Sequence, residues 1–192
     1  GIGRAMATDP ELIVLDEPTS ALDPTARAEI IDLLIRLQRE TETAYLFISH
    51  DLSTVRLISR RVAVMYLGAI VEIGEAEDIF ERPLHPYTVG LLASALLPHP
   101  SLKPSRAVSL EGEIPSPIDL PPGCALASRC PFVEDACRAA MPPLIASTPH
   151  RMVRCINTHK VEALGKVGAD FARFQALAQE ALSVGAGPEG EP

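Results

Sequence analysis

Apolar residues fall along this chain first in short unbroken runs, then at helical spacing, then in runs again. Leu12-Ile13-Val14-Leu15 is an aliphatic run closed by Asp16-Glu17-Pro18, the pattern of a buried parallel strand at its carboxyl end. Before it, Ile2 to Thr8 reads as the last turns of a helix stopped by Asp9-Pro10. After it, Asp23-Pro24 supplies an N-cap with proline at the first helical position. Ile30, Ile31, Leu34, Ile35 and Leu37 then hold an apolar stripe as far as Glu40. Ala44 to Ile48 is a second buried strand, running out at Ser49-His50-Asp51, and Leu52, Val55, Leu57 and Ile58 mark the helix that follows. Val62 to Leu67 and Ile70 to Ile73, joined at Gly68, predict a hairpin. Glu75 to Phe80 makes a short helix and Pro86 to Leu97 another. Strands alternating with helical patterns predict an α/β fold with a mainly parallel sheet.

Near residue 83 the pattern changes. Of the 18 prolines, 13 fall between Pro83 and Pro149, and from Pro98 to about Pro149 no periodicity survives. A stretch of that length without regular structure is either functional or cross-linked. Helical spacing resumes from Val161 to Leu182, with Leu164, Val167, Phe171, Phe174, Leu177 and Leu182 on one face. The expected organisation is therefore 1–82, a loop-rich extension over 83–158, a helix over 159–184 and a disordered tail over 185–192.

Composition narrows the class. The 192 residues are 47% hydrophobic and 22% charged, which excludes a disordered or collagen-like chain. No apolar run reaches the eighteen or so residues that a membrane span requires. The net charge of −8 is concentrated early: residues 1–81 hold 7 Lys/Arg against 15 Asp/Glu, while residues 82–192 hold 10 of each. With that balance and no Trp, a nucleic-acid partner is not expected. The chain starts at Gly1 in mid-pattern, which reads as a cut inside a domain.

Two clusters carry candidate chemistry. In doubly wound sheets, ligands sit beyond the carboxyl ends of the strands, where Asp16-Glu17 and His50 converge. An aliphatic run followed by Asp-Glu is the Walker B pattern of P-loop ATPases. There the first carboxylate holds Mg²⁺, usually through water, and the second orients or deprotonates the attacking water. By itself the run could equally be a solvated strand end, and a lone His is more often structural. The second cluster is Cys124, Cys130, Cys137 and Cys155, all in one 32-residue window. Without a secretory signal segment, four clustered thiols point to metal rather than to disulfides. Zinc favours tighter Cys pairs, and the wider spacing with Pro131 after Cys130 leans toward a cubane iron–sulfur cluster. Zinc and unliganded thiols remain open.

Leu12 to Asp23, LIVLDEPTSALD, together with Ile48-Ser49-His50-Asp51-Leu52, resembles the nucleotide-binding subunit of ABC transporters. The resemblance implies the latter part of a P-loop ATPase domain using ATP and Mg²⁺. Asp16 would support the metal, Glu17 would be the catalytic carboxylate, and His50 the switch histidine that contacts the γ-phosphate. Ser20 and Asp23 would belong to a D-loop crossing the interface with a second ATPase subunit. The phosphate loop, the LSGGQ signature and the Q-loop do not occur in the chain, and Gly1 to Ala7 resembles the helix that follows the signature. The 192 residues alone are therefore expected neither to bind nor to hydrolyse ATP measurably.

Tyr66-Leu67-Gly68, Glu72-Ile73-Gly74, His85-Pro86-Tyr87-Thr88, Gly112 to Pro117, Arg129-Cys130-Pro131 and His150 to Cys155 are similar to the oligopeptide/dipeptide importer subfamily and its C-terminal extension. The likeness runs from residue 1 to about 158. It implies a 4Fe-4S cluster on Cys124, Cys130, Cys137 and Cys155, with zinc as the alternative. It also implies two membrane permease subunits, an extracytoplasmic substrate-binding protein, and a place on the cytoplasmic face of the membrane. The rival expectations are a soluble ABC ATPase unconnected with transport and a non-catalytic metal-cluster module. His85 and His150 are expected to be turn and packing residues, and His159 lies beyond the motifs.

Overall fold

The computed structural model describes residues 1–94 and 108–165. The chain divides into two compact units, one spanning Gly1–Arg60 and the other beginning at Arg61.

The first unit contains α1 (Ile2–Met6), β1 (Leu12–Asp16), α2 (Pro24–Thr41), β2 (Ala44–Ile48) and α3 (Leu52–Ile58). The strands pair in parallel, Leu12 opposite Ala44 through Asp16 opposite Ile48. Parallel neighbours need a crossover, and α2 supplies it. Its start is set as expected: Asp23 caps the helix, its Oδ1 accepting from the Thr25 and Ala26 N–H groups at 3.0 Å, with Pro24 at the first position. Ile31 and Leu34 of the apolar stripe meet Ile13 and Leu15 in the core, flanked by Ile2, Met6, Tyr45, Phe47 and Ile58.

The two strands were expected to be buried on both faces, and they are not. Ile13 and Leu15 are buried, but Leu12, Val14, Leu46 and Ile48 on the opposite face are each about half exposed. Side chains alternate across a strand, so the helices that cover one face of this two-stranded sheet leave the other uncovered.

The second unit corrects the mainly parallel sheet. It holds β3 (Arg61–Tyr66), β4 (Ala69–Glu75), α4 (Ala76–Glu81), α5 (Pro86–Ser94), α6 (Asp135–Ala139), β5 (Ile145–Thr148), β6 (Arg151–Val153) and α7 (Thr158–Glu162). Four strands form an antiparallel sheet in the order β3-β4-β6-β5. The reason is connection length. Leu67 and Gly68, both at positive φ, make a turn too short for anything but an antiparallel hairpin, and two residues join β5 to β6. Part of the stretch read as Pro-rich loop is therefore regular: α6 and β5 lie within it, and β6 pairs with β4.

Val64, Tyr66, Val71, Ile79, Ala125 and Leu126 form the main core of this unit. A second group joins Val89 of α5 to Val108 and to Val161 of α7. At the centre Glu72 is fully buried, receiving Arg151 at 2.5 Å and the backbone N–H groups of Leu84 and His85 at 2.8 and 3.1 Å. Of the helix expected over Val161–Leu182, the first two residues lie in α7, residues 163–165 do not continue it, and Gly165 has φ 78°. The remainder of that helix and the tail over 185–192 lie outside the described residues, as do residues 95–97 of the helix expected over Pro86–Leu97.

Candidate functional site

Where β1 ends, the chain turns sharply at Glu17, a non-glycine residue at φ 46°. The left-handed region costs such a residue about 1–2 kcal/mol. Local hydrogen bonds hold it there. The Glu17 N–H donates to the Ile48 carbonyl at 2.9 Å, while the Ser20 N–H and hydroxyl both donate to the Glu17 carbonyl, the hydroxyl at 3.0 Å. The side chain is thereby aimed across to the end of β2. Glu17 Oε1 lies 2.8 Å from His50 Nδ1 and accepts the His50 backbone N–H at 3.2 Å.

The pair is open to solvent, with the His50 side chain 80% exposed and that of Glu17 36%. A carboxylate on Nδ1 fixes one face of the imidazole and leaves Nε2 outward for a ligand. Of the residues singled out in the sequence, the structure brings Glu17, His50 and Ser20 together. Asp16 is the exposed last residue of β1, opposite Ile48. Asp23 has its carboxylate engaged in capping α2.

Asp51, next to His50, has a structural task. Its carboxylate caps α3 through Ser53 and Thr54 and pairs with Arg27 at 3.0 Å. Burial pushes its pKa up, but the hydrogen bonds from Thr54, Arg27 and Ser53 outweigh that and leave it below the ordinary value.

The second unit gathers the four cysteines. Cys124, Cys130, Cys137 and Cys155 line one small pocket together with His85 and Asn157, and none forms a disulfide. Backbone geometry holds the walls. The Cys124 N–H donates to the Cys137 carbonyl at 2.7 Å, and the Cys137 N–H to the Glu134 carbonyl at 2.9 Å. Amide hydrogens face the sulfurs. Those of Leu126 and Ala127 serve Cys124, that of Phe132 serves Cys130, and that of Asn157 reaches Cys155 Sγ at 3.3 Å. Asn157, nearly fully buried, also directs its side-chain amide to the Phe132 carbonyl at 2.8 Å and to Cys137 Sγ at 3.8 Å.

Burial, reinforced by the neighbouring thiols, raises the pKa values of Cys124 and Cys130 and pushes Cys155 up to about 11. Four thiols that crowd one another and face N–H donors are a donor set suited to a cationic centre that takes them as thiolates. The side chains as they stand are not a closed shell: among the described residues no group of three or more His, Cys, Asp or Glu is arranged to hold a metal ion.

His85 is buried as a packing residue. Its Nδ1 accepts the Tyr87 N–H at 3.1 Å, and its ring also bonds the Arg154 backbone. Burial lowers its pKa to about 4, so the ring is neutral. His150 is exposed on the β5–β6 turn.

Two lining residues of this pocket, Asn157 and Arg154, and the glycine before Cys124 had no role in the sequence reading. Asn157 and Arg154 carry no spacing signal. Gly123 did leave one, a glycine directly before Cys124: a Cβ there would stand 2.3 Å from the Cys137 carbonyl oxygen, so only glycine lets the two segments close.

Residues 71–137 match the family described as oligopeptide/dipeptide transporter, C-terminal region. The chain is 50% identical over 155 residues to a probable peptide ABC transporter ATP-binding protein of Sinorhizobium fredii, covering 81% of this chain and 44% of that protein. It is 45% identical over 157 residues to an oligopeptide transport ATP-binding protein of Escherichia coli, covering 81% and 47%. A putative oligopeptide transport ATP-binding protein of Bacillus subtilis is 45% identical over 168 residues, covering 87% and 51%. The chain spans about half the length of the curated relatives it matches.

The parallel strand ends carrying an Asp-Glu and a His thus belong to a chain whose likeness is to ABC-transporter ATP-binding proteins. Over residues 71–137 that likeness narrows to the C-terminal region of the oligopeptide/dipeptide transporter family.

Proposed function

We propose that this chain contributes the hydrolytic end of an ATP site that energises a membrane importer of peptides. The observation that carries the reading is the Glu17–His50 pair, two side chains from the ends of adjacent parallel strands joined at 2.8 Å and open to solvent. In this reading Glu17 polarises the water that attacks the γ-phosphate, and the hydrogen bond to Nδ1 orients His50 so that Nε2 faces that phosphate. Asp16, exposed at the strand end, would hold Mg²⁺, whose charge offsets that of the phosphates. Ser20 holds the strained turn at Glu17, and Asp23 would face the second ATPase subunit from the start of α2.

The partners proposed are that second subunit, two permease subunits and an extracytoplasmic substrate-binding protein, with this chain on the cytoplasmic face. Among the described residues no helix is long and apolar enough to cross a membrane, so attachment would come through the permeases.

Cys124, Cys130, Cys137 and Cys155 are proposed to hold a 4Fe-4S cluster, with zinc as the alternative. What supports this is their convergence on one pocket with N–H groups directed at the sulfurs. When bound, such a centre would cross-link two loop positions, helix α6 and the segment just beyond β6.

The test is ATP turnover by the assembled transporter carrying Glu17→Gln. Removing the carboxylate should lower turnover by about 10²–10⁴-fold, the usual range for a positioned acid–base group, while nucleotide binding persists. Turnover within threefold of wild type would overturn the assignment. For the cysteines, metal analysis after anaerobic purification should find iron and sulfide; zinc alone would select the alternative, and neither would sink the metal reading.

A further inference from the structure

The residues around the cysteine pocket have a one-sided charge. Among the described residues its lining includes His85, the four thiols and Arg154, and no carboxylate. Another cation lies nearby, Lys160, but it is paired with Glu134. Arg154 differs. Among the described residues it has no carboxylate partner; its Nε donates to the Ile70 carbonyl at 2.9 Å and one terminal nitrogen to the Pro142 carbonyl at 3.0 Å. Its backbone is fixed as well, the N–H donating to the Val71 carbonyl at 2.8 Å. A guanidinium kept partly buried and without an ion partner costs free energy. Neutral carbonyls fix its position but do not compensate its charge.

We infer that Arg154 is the counter-cation of the cysteine pocket, held against it by two carbonyl groups so that its charge offsets the surplus negative charge that four thiolates bring to a bound metal centre. The inference rests on the metal reading of the cysteines. The charge count is the same for either metal. Four thiolates around a dipositive ion, or around a cubane core of charge +2, leave a net charge of −2. Removing the one Lys or Arg among the described lining residues should therefore disfavour addition of an electron to a cluster and hasten loss of any thiolate-bound metal.

Arg154→Gln removes the charge and keeps an amide donor, whereas Arg154→Lys keeps the charge and loses the two-carbonyl grip. Both variants and the wild type, as the 192-residue chain, would be reconstituted anaerobically with iron and sulfide and titrated by optical spectroscopy and electron paramagnetic resonance. Parallel samples loaded with Co²⁺ would report metal release to a chelator from the thiolate charge-transfer bands. For Arg154→Gln the expected result is a roughly tenfold fall in the reduced-to-oxidised ratio at fixed potential, about 59 mV for one electron. Release of Co²⁺ should be several-fold faster, and Arg154→Lys should stay near wild type in both. A purely structural role would make both variants lose metal together with no change in the potential of what remains. That outcome, or an unchanged potential and release rate in Arg154→Gln, overturns the inference while leaving the metal reading intact. Wild-type protein that takes up neither iron–sulfur nor Co²⁺ overturns both.

Discussion

Replacing Arg151 by Met tests whether the buried Glu72–Arg151 pair organises the second unit. Glu72 on β4 has no solvent exposure and the Arg151 side chain on β6 only 6%. The carboxylate accepts Arg151 and the N–H groups of Leu84 and His85, and Arg151 also donates to the Arg82 carbonyl. Taking away one partner of such a pair leaves an uncompensated charge and costs about 3–5 kcal/mol. Against a typical total of about 5–15 kcal/mol, that is a fifth or more of the stability. Glu72→Leu should cost more than Arg151→Met, because it strands the guanidinium and also orphans two buried N–H groups at about 1–3 kcal/mol each. The double variant should be less damaging than the sum of the two, since no charge is then left alone. Urea unfolding followed by the ellipticity at 222 nm and by tyrosine absorbance would read this, helped by the Tyr66–Tyr87 contact at 4.5 Å and the lack of Trp. The midpoint shift should persist in 1 M salt, which screens exposed pairs but not buried ones. A loss below about 1 kcal/mol for Arg151→Met would refute the reasoning, because exposed ion pairs are worth no more than that.

Gly123→Ala should be more harmful than its size suggests, costing about 1–3 kcal/mol or more from overpacking and, on the proposed metal reading, abolishing metal uptake, as checked by urea unfolding and iron analysis. Asp23→Ala should cost about 1 kcal/mol by removing the α2 cap, and Asp23→Ser should restore most of it, measured by thermal unfolding. For Asp51, hydrogen bonds hold the folded pKa below the unfolded value of about 3.9, so its contribution is complete above that value and is lost as pH falls through the folded pKa. Acid unfolding of Asp51→Asn should accordingly show a weaker pH dependence below about pH 4, and an unchanged slope would contradict the assignment.

Much of the first unit is legible because its signals are local. Asp23-Pro24 sets the start of α2, the run from Leu12 marks β1, and Asp16-Glu17 and His50 each sit at the end of an apolar segment. Gly68 likewise announces its hairpin. The expectation of a mainly parallel sheet failed because strand patterns do not say which strands will pair. Val62 to Leu67 reads like the earlier runs, yet it enters an antiparallel sheet whose other edge comes from residues about eighty positions later. Periodicity also says nothing of how many faces are covered, which is why Leu12, Val14, Leu46 and Ile48 were expected inside and stand half exposed.

The sequence by itself determined the chemical inventory: a carboxylate pair and a histidine at strand ends, four cysteines in one window, and motif order specific enough to indicate the family. Only the tertiary structure decided how these groups meet. It turned Glu17 into a left-handed conformation that aims it at His50, and it brought the four cysteines to one pocket, with Gly123 letting the Cys124 and Cys137 segments meet, Asn157 bonded at its wall and Arg154 in its lining without a carboxylate partner among the described residues. Those arrangements depend on contacts between residues far apart in the chain, through backbone amides and carbonyls that every residue possesses. Such groups leave no mark in the order of side chains.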